Sequence, residues 1–440
     1  MSGLLIRGGR LVDPGSGVDG LLDVRTHGDI VAAVGPGLEP EAGDRVVEAH
    51  GCIVAPGFVD LHAHLREPGF EHKGTIASET LAALHGGFTT LCAMPNTEPA
   101  PDRAEVVQAL WDRVRTTARV RVFPIGTVTR RRQGKELAEL GELAETGCVA
   151  FSDDGNPVAD PALMRRAMEF AATLGLPLSE HSDDPALSAG GVMHEGVVSE
   201  RLGLAGQPAA AEISAIARNL ALAELTGCRL HTAHVSTARG VELIADAKAR
   251  GLVVTCEVTP SHLFLTDEVV FGGGPGPAYD TRGKINPPLR EERDRQALLK
   301  ALDAGIIDAI ATDHAPHAIQ DKLCEFDLAA PGISCFDTAI ATLLTQVSRG
   351  ELRLERVIEA LTVRPAQVFG LDKRVPGLGR VLVGGPADVV VLDPTREWLV
   401  EAATMHSKGK NTPLIGRRLT GAVRAVVFAG NLTIGEGGGA

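Results

Sequence analysis

The 440-residue sequence predicts a (β/α)8 barrel with a small β-sandwich domain formed from both chain ends. Three observations carry this. Short apolar runs alternate with helix-length stretches from Cys52 to Thr312, the order expected of a parallel sheet built from βα units. Both ends of the chain are instead strand-rich and punctuated by glycine. Nearly every apolar run also ends in a histidine, carboxylate or amide, as expected where strand ends converge on one barrel mouth.

In chain order, residues 4–12 read as strand, turn, strand, and 29–34 as a further strand before Gly35-Pro36-Gly37. Residues 387–393 and 423–431 answer them at the far end with the same β-branched, glycine-bounded pattern. The expected division is therefore 1–55 and 371–440 in one β-domain, with the barrel over 56–370. The first barrel strand is the run ending in His62. Strands at 89–94, 120–124, 148–151, 176–180, 230–234, 253–257 and 307–312 follow it. Helices are expected over 103–117, 161–174, 210–226 and 293–304. A doubly wound open sheet is the alternative, but it needs a glycine-rich phosphate turn after the first strand, and none stands there.

Bulk properties narrow the function. Lys and Arg total 43 against 56 Asp and Glu, a formal charge of −13. Such a surface disfavours nucleic acid and anionic membrane as partners. It leaves an anionic small substrate open, because a buried metal and a few cations can reverse the local field. No run approaches the roughly 18–20 apolar residues of a membrane span, and no signal-peptide core is present, so a cytoplasmic location is expected. The seven cysteines are scattered and form no Cys-x-x-Cys. They read as small core residues, not as a disulfide framework or thiolate metal site.

The strand ends carry the chemistry. In extended backbone, residues i and i+2 face the same way, so His62 and His64 leave one strand end side by side. Arg66 has the same parity if the extended geometry continues. Met94-Pro95-Asn96, Ser152-Asp153-Asp154-Gly155, Ser179-Glu180-His181, Thr232-Ala233-His234 and Thr312-Asp313-His314-Ala315-Pro316-His317 close other units. Each has an ordinary alternative: a packed histidine, a turn asparagine, a capping aspartate. Their recurrence at successive strand ends points to a metal site. Histidine and aspartate without thiolate suit zinc or a similar divalent ion. The set divides into His62, His64 and Asp313 for one ion and His181 and His234 for a second. Asp153 or Asp154 would be the shared anion that holds two cations about 3.5–4 Å apart.

Residues 62–69, 94–97, 151–155, 284–290 and 313–317 together resemble the motifs of type I dihydroorotases, in the amidohydrolase superfamily. The resemblance runs through essentially the whole chain. It implies zinc-dependent interconversion of N-carbamoyl-L-aspartate and L-dihydroorotate in pyrimidine synthesis, with two Zn2+ per subunit. Carried over by motif, the metal ligands are His62, His64, Asp154, His181, His234 and Asp313. This chain has no lysine near Phe151 of the kind many superfamily members use as the bridge, and the resemblance favours Asp154 over Asp153 in its place. Asp313 would be the catalytic acid/base, serving a bridging hydroxide nucleophile. Arg66, Asn96 and His317 would bind the free carboxylate, where a guanidinium fork suits the anion. His64, Asn286, Pro331 and Gly332 would complete the substrate contacts. A mobile lid is expected over 318–330.

Two rival readings follow. A hydantoinase or allantoinase shares the fold and the cyclic-amide chemistry, but carries a bridging lysine and lacks the Arg66, Asn96 and His317 set. A non-catalytic partner of aspartate carbamoyltransferase would lack metal ligands. Here those ligands are all present, which argues against pure scaffolding; association with that transferase stays open alongside catalysis, and a homo-oligomer is expected.

Overall fold

In the computed structural model, which describes residues 3–272 and 277–435, eight parallel segments close into a barrel. Phe58–Ala63 pairs with Phe88–Ala93, and Phe88–Ala93 with Arg121–Pro124. Single bridges at Gly126, Phe151 and Leu178 carry the sheet onward. Leu178–Glu180, Leu230–Thr232, Val254–Val258 and Ala309–Ile310 pair in sequence order. A parallel bridge between Ala63 and His314 closes the ring.

The strands expected at 176–180 and 230–234 are each two residues shorter, Leu178–Glu180 and Leu230–Thr232, and two others are reduced further. Residues 148–151 contribute only the bridges at Phe151. Residues 307–312 retain only Ala309–Ile310 as strand. The reason at the second lies in Asp60. Its buried carboxylate accepts Thr312 N at 2.9 Å and Thr312 Oγ1 at 2.6 Å, so a side chain replaces the backbone ladder beside the site.

The helices lie within one residue of their expected bounds, at Ala104–Thr117, Pro161–Leu174, Ala209–Thr226 and Glu292–Asp303. Pro161–Leu174 shows why. Asp160 accepts Ala162 N at the start, Pro161 opens the first turn, and Gly175 ends the helix with φ 68°. The first strand alternates: Val59 and Leu61 join an apolar cluster with Cys92, Ile125 and Val149. His62, of opposite parity, faces polar neighbours.

Both chain ends build the flanking β-structure. A six-stranded sheet runs in the order Asn431–Ile434, Arg418–Phe428, Val389–Leu399, Ile53–Pro56, Arg10–Asp13, Val18–Leu21. A four-stranded sheet contains Ile30–Gly35, Asp23–His27, Leu4–Arg7 and Arg45–Glu48. Leu4, Ile6, Leu11 and Val24 share one apolar cluster with Val389, Val391, Ala425 and Val427, so neither end buries its apolar face without the other. Gly57 links this sheet to the first barrel strand, and a Cβ there would sit 2.2 Å from Thr89 Oγ1. Between its two long C-terminal strands the chain crosses back to the barrel at 405–412, where Ser407 Oγ donates to Glu79 at 2.7 Å. Among the described residues, no helix is long and apolar enough to cross a membrane.

Candidate active site

His62 is the penultimate residue of the first strand and is fully buried. Its Nδ1 lies 2.8 Å from Glu257 Oε1. An ionised carboxylate only accepts, so Nδ1–H donates, and in the neutral ring that a cation would require Nε2 carries the lone pair. That Nε2 has no hydrogen-bond partner. The other Glu257 oxygen lies 3.0 Å from His231 Nε2, whose Nδ1 is 2.8 Å from Thr255 Oγ1. Burial alone would raise the Glu257 carboxyl pKa, but the bonds from His231 and His62 hold it well below the usual range.

His64 lies just beyond the strand. Its Nδ1 donates to Asn96 Oδ1 at 2.8 Å, which turns Nε2 toward Asp313 Oδ1 at 2.9 Å. His181 and His234 meet from the fifth and sixth strand ends, Nδ1 to Nε2 at 2.9 Å. Asp154 lies between the two pairs. Its oxygens are 3.4 Å from His62 Nε2, 3.6 Å from His64 Nε2, 3.6 Å from His181 Nδ1 and 3.4 Å from His234 Nε2. Two groupings therefore have ligand atoms within 4.8 Å of one another: His62, His64 and Asp154, and Asp154, His181 and His234. Burial would raise the Asp154 pKa, yet His62, His181 and His234 hold it well below the ordinary aspartate value.

An unpartnered, buried ring nitrogen beside a depressed carboxylate is the environment of a cation ligand, and the donor set is imidazole and carboxylate. The residues fit a divalent metal pair. Asp313 is outside both groupings but lies 3.5 Å from His62 Nε2. Its side chain is 15% exposed against 6% for Asp154, which makes it the more accessible carboxylate.

Asp153 points elsewhere. It accepts Val128 N at 2.8 Å, Thr129 N at 3.1 Å and the Thr129 hydroxyl. Burial raises its carboxyl to about 6.

Arg66 departs from the parity argument. The strand stops at Ala63 and Arg66 has φ 66°, so the extended geometry does not continue. The turn sends its guanidinium to Pro316 O at 3.1 Å and to within 3.3 Å of His317 Nε2. Burial lowers its pKa to about 10, opposed by Asp313 and Asp154. Burial, then Arg66, Lys322 and Lys73, push His317 down to about 3, so its ring is neutral. His317 Nε2–H donates to Pro331 O at 2.9 Å. Gly332 follows with φ 143°, and a Cβ there would sit 2.9 Å from His317 Nε2. Asn96 is joined to His64, and Asn286 Nδ2 lies 3.2 Å from His181 Nε2. His234 and Asp313 also have positive φ, at 32° and 46°, the local strain that surrounding structure must impose.

Residues 318–330 are anchored. Lys322 Nζ donates to Thr281 O, Lys284 O and Ala330 O at 3.0, 3.2 and 2.6 Å, and Phe326 is buried. Opening such a segment would have to break these bonds. A cavity of about 1220 Å3, lined in part by His317, Lys322, Lys408 and Asn411, lies beside it.

Sequence reasoning missed Glu257, Asn411 and Glu79. Glu257 ends an apolar strand as the other site residues do, and that signal could have found it. Asn411 and Glu79 have no such signal.

A family model described as Dihydro-orotase-like matches residues 51–240. A dihydroorotase of Anaeromyxobacter dehalogenans is 51% identical over 98% of this chain and 97% of its own length. One from Geotalea daltonii is 44% identical over 98% of each chain. Among solved structures, an L-hydantoinase from Arthrobacter aurescens superposes with a TM-score of 0.87 at 27% identity, covering 99% of this chain and 97% of that one. A D-hydantoinase from Thermus sp. gives 0.83 at 26%, covering 99% and 96%. The hydantoinases share the architecture, while identity of about half over nearly full length singles out one group within it: the chain belongs to the dihydroorotase family.

Proposed function

We propose that this chain interconverts N-carbamoyl-L-aspartate and L-dihydroorotate, with His62, His64, Asp154, His181, His234 and Asp313 holding two zinc ions. Membership in the dihydroorotase family makes it a hydrolase of cyclic amides. The observation that carries the two-metal reading is Asp154, within 3.6 Å of four imidazoles from three strand ends. When bound, divalent metals there would supply Lewis acidity, lowering the pKa of water and polarising a carbonyl oxygen.

The protein's own residues do the rest. Asp313 stands at the accessible side of the histidines, placed to hold a proton. In hydrolysis it accepts the proton of the attacking water and returns it to the ring nitrogen as the C–N bond breaks. In cyclisation the same carboxyl works in reverse, and ring closure consumes one proton, so acid favours the ring. Arg66 presents a fixed fork to the free carboxylate beside neutral His317, with Asn96 next to His64. Asn286 and the 331–332 backbone are assigned to the ring amide and ureido groups.

Elemental analysis of purified protein should find zinc near two per chain, together with dihydroorotate hydrolysis. Faster turnover of an unsubstituted hydantoin than of dihydroorotate would move the assignment to the hydantoinases, whose architecture this chain shares. A cytoplasmic homo-oligomer that associates with aspartate carbamoyltransferase belongs to the same proposal. Light scattering of the two proteins, apart and mixed, should show a heavier species on mixing; an unchanged mass removes that partner.

A further inference from the structure

We infer that Asn411, brought over the barrel mouth by the segment between the two long C-terminal strands, is a positioning residue that builds the carboxylate pocket by clamping the 315–317 and 331–333 loops. The inference rests on the assignment of Arg66 and His317 to the substrate carboxylate.

Asn411 is buried, and each polar atom of its side chain is used. Oδ1 accepts His317 N–H at 2.8 Å. Nδ2 donates to Ala315 O at 3.0 Å and to Gly332 O at 2.9 Å. These partners set the amide orientation, because the flipped amide would face two carbonyls with its oxygen and an N–H with its nitrogen. The main-chain carbonyl of Asn411 also accepts Ser334 N–H at 3.0 Å. One side chain thus joins the loop that carries His317 to the loop whose Pro331 carbonyl fixes the His317 ring. Arg66 leans on the same loop through Pro316 O.

The approach has no spare room. At Gly409 a Cβ would lie 2.6 Å from His317 N, 2.8 Å from Asn411 Oδ1 and 2.8 Å from Pro316 Cβ. Only glycine lets the strap lie this close to the backbone of the pocket. Further along, Ser407 and Lys408 N bond the buried Glu79, which also meets His314 Nε2 at 2.8 Å. The strap is therefore tied to the barrel on both sides of Gly409. The β-sheet end of the chain helps shape a site whose proposed metal ligands and carboxylate-binding residues come from the barrel.

Asn411→Asp tests this with little change in shape. It keeps an acceptor for His317 N–H but faces two carbonyls with an oxygen. Losing these buried bonds should raise KM for dihydroorotate about ten-fold or more, with kcat within about three-fold and metal content unchanged. A merely structural role would lower the melting temperature and active fraction and leave KM within about two-fold, and that result overturns the inference. If Asn411→Asp does not accumulate as folded protein, Gly409→Ala displaces the same loop from the other side, and the same KM criterion decides. Arg66→Lys, measured in parallel, separates the two claims. If it raises KM while the strap variants do not, the clamp alone fails. If the strap variants raise KM while Arg66→Lys does not, the clamp stands and Arg66 leaves the carboxylate site.

Discussion

Asp313→Asn should lower kcat for dihydroorotate hydrolysis by about 10³-fold, within the 10²–10⁴ that positioned proton transfer supplies. Asparagine is the informative replacement. Asp313 has φ 46°, a conformation that asparagine tolerates and alanine resists. Its neighbours are held independently. Thr312 is bonded to Asp60, and His314 Nδ1 accepts Cys335 N and Phe336 N at 2.9 and 3.2 Å. The backbone therefore keeps its place when the carboxylate becomes an amide, and what is lost is the proton acceptor. Asp313→Ala should lose at least as much. Metal analysis of the same protein separates the two roles expected of this residue. Retained metal with lost turnover identifies an acid/base, and metal lost in proportion to activity identifies a ligand. Turnover within about ten-fold of wild type in Asp313→Asn removes it from the chemistry.

The paired variants Asp154→Ala and Asp153→Ala should fail in opposite ways. Among its side-chain neighbours Asp154 has the four histidines. Its removal should weaken metal binding by about 10²-fold or more, since even partners behind the ligands contribute 10–100-fold. Asp153 instead satisfies two backbone N–H groups and one hydroxyl. Its removal leaves buried donors unpaired, at about 1–3 kcal/mol each, so the melting temperature should fall while metal content stays at the wild-type level. Metal loss in Asp153→Ala with retention in Asp154→Ala would exchange the two assignments.

The strand ends were legible because apolar runs and their polar terminators recur in order, and a closed barrel brings every such end to one mouth. His62, His181, His234 and Asp313 could be collected on that ground. The helices were legible through local chemistry, as at Asp160-Pro161 and Gly175. Parity served for His62 but not for Arg66. Side-chain alternation holds only while backbone is extended, and the strand ends at Ala63. The choice between Asp153 and Asp154 was open for the same reason: alternation does not survive the turn before Gly155.

What the sequence determined by itself was the list of chemical groups, the alternation that makes a barrel, and the motifs of the dihydroorotases. Those depend on residue type and spacing along the chain. Only the tertiary structure decided where the groups meet. It set Asp154 among four histidines, aimed Asp153 at residues 128–129, turned Arg66 toward His317, and laid Asn411 across loops about 80 and 95 positions earlier. The physical reason is that a hydrogen bond within one strand or helix has its partner a few residues away, whereas the bonds that orient this site close across tens to hundreds of residues, such as 25 at Asp153 and 251 at Arg66, and exist only once the barrel and its β-sheets have packed.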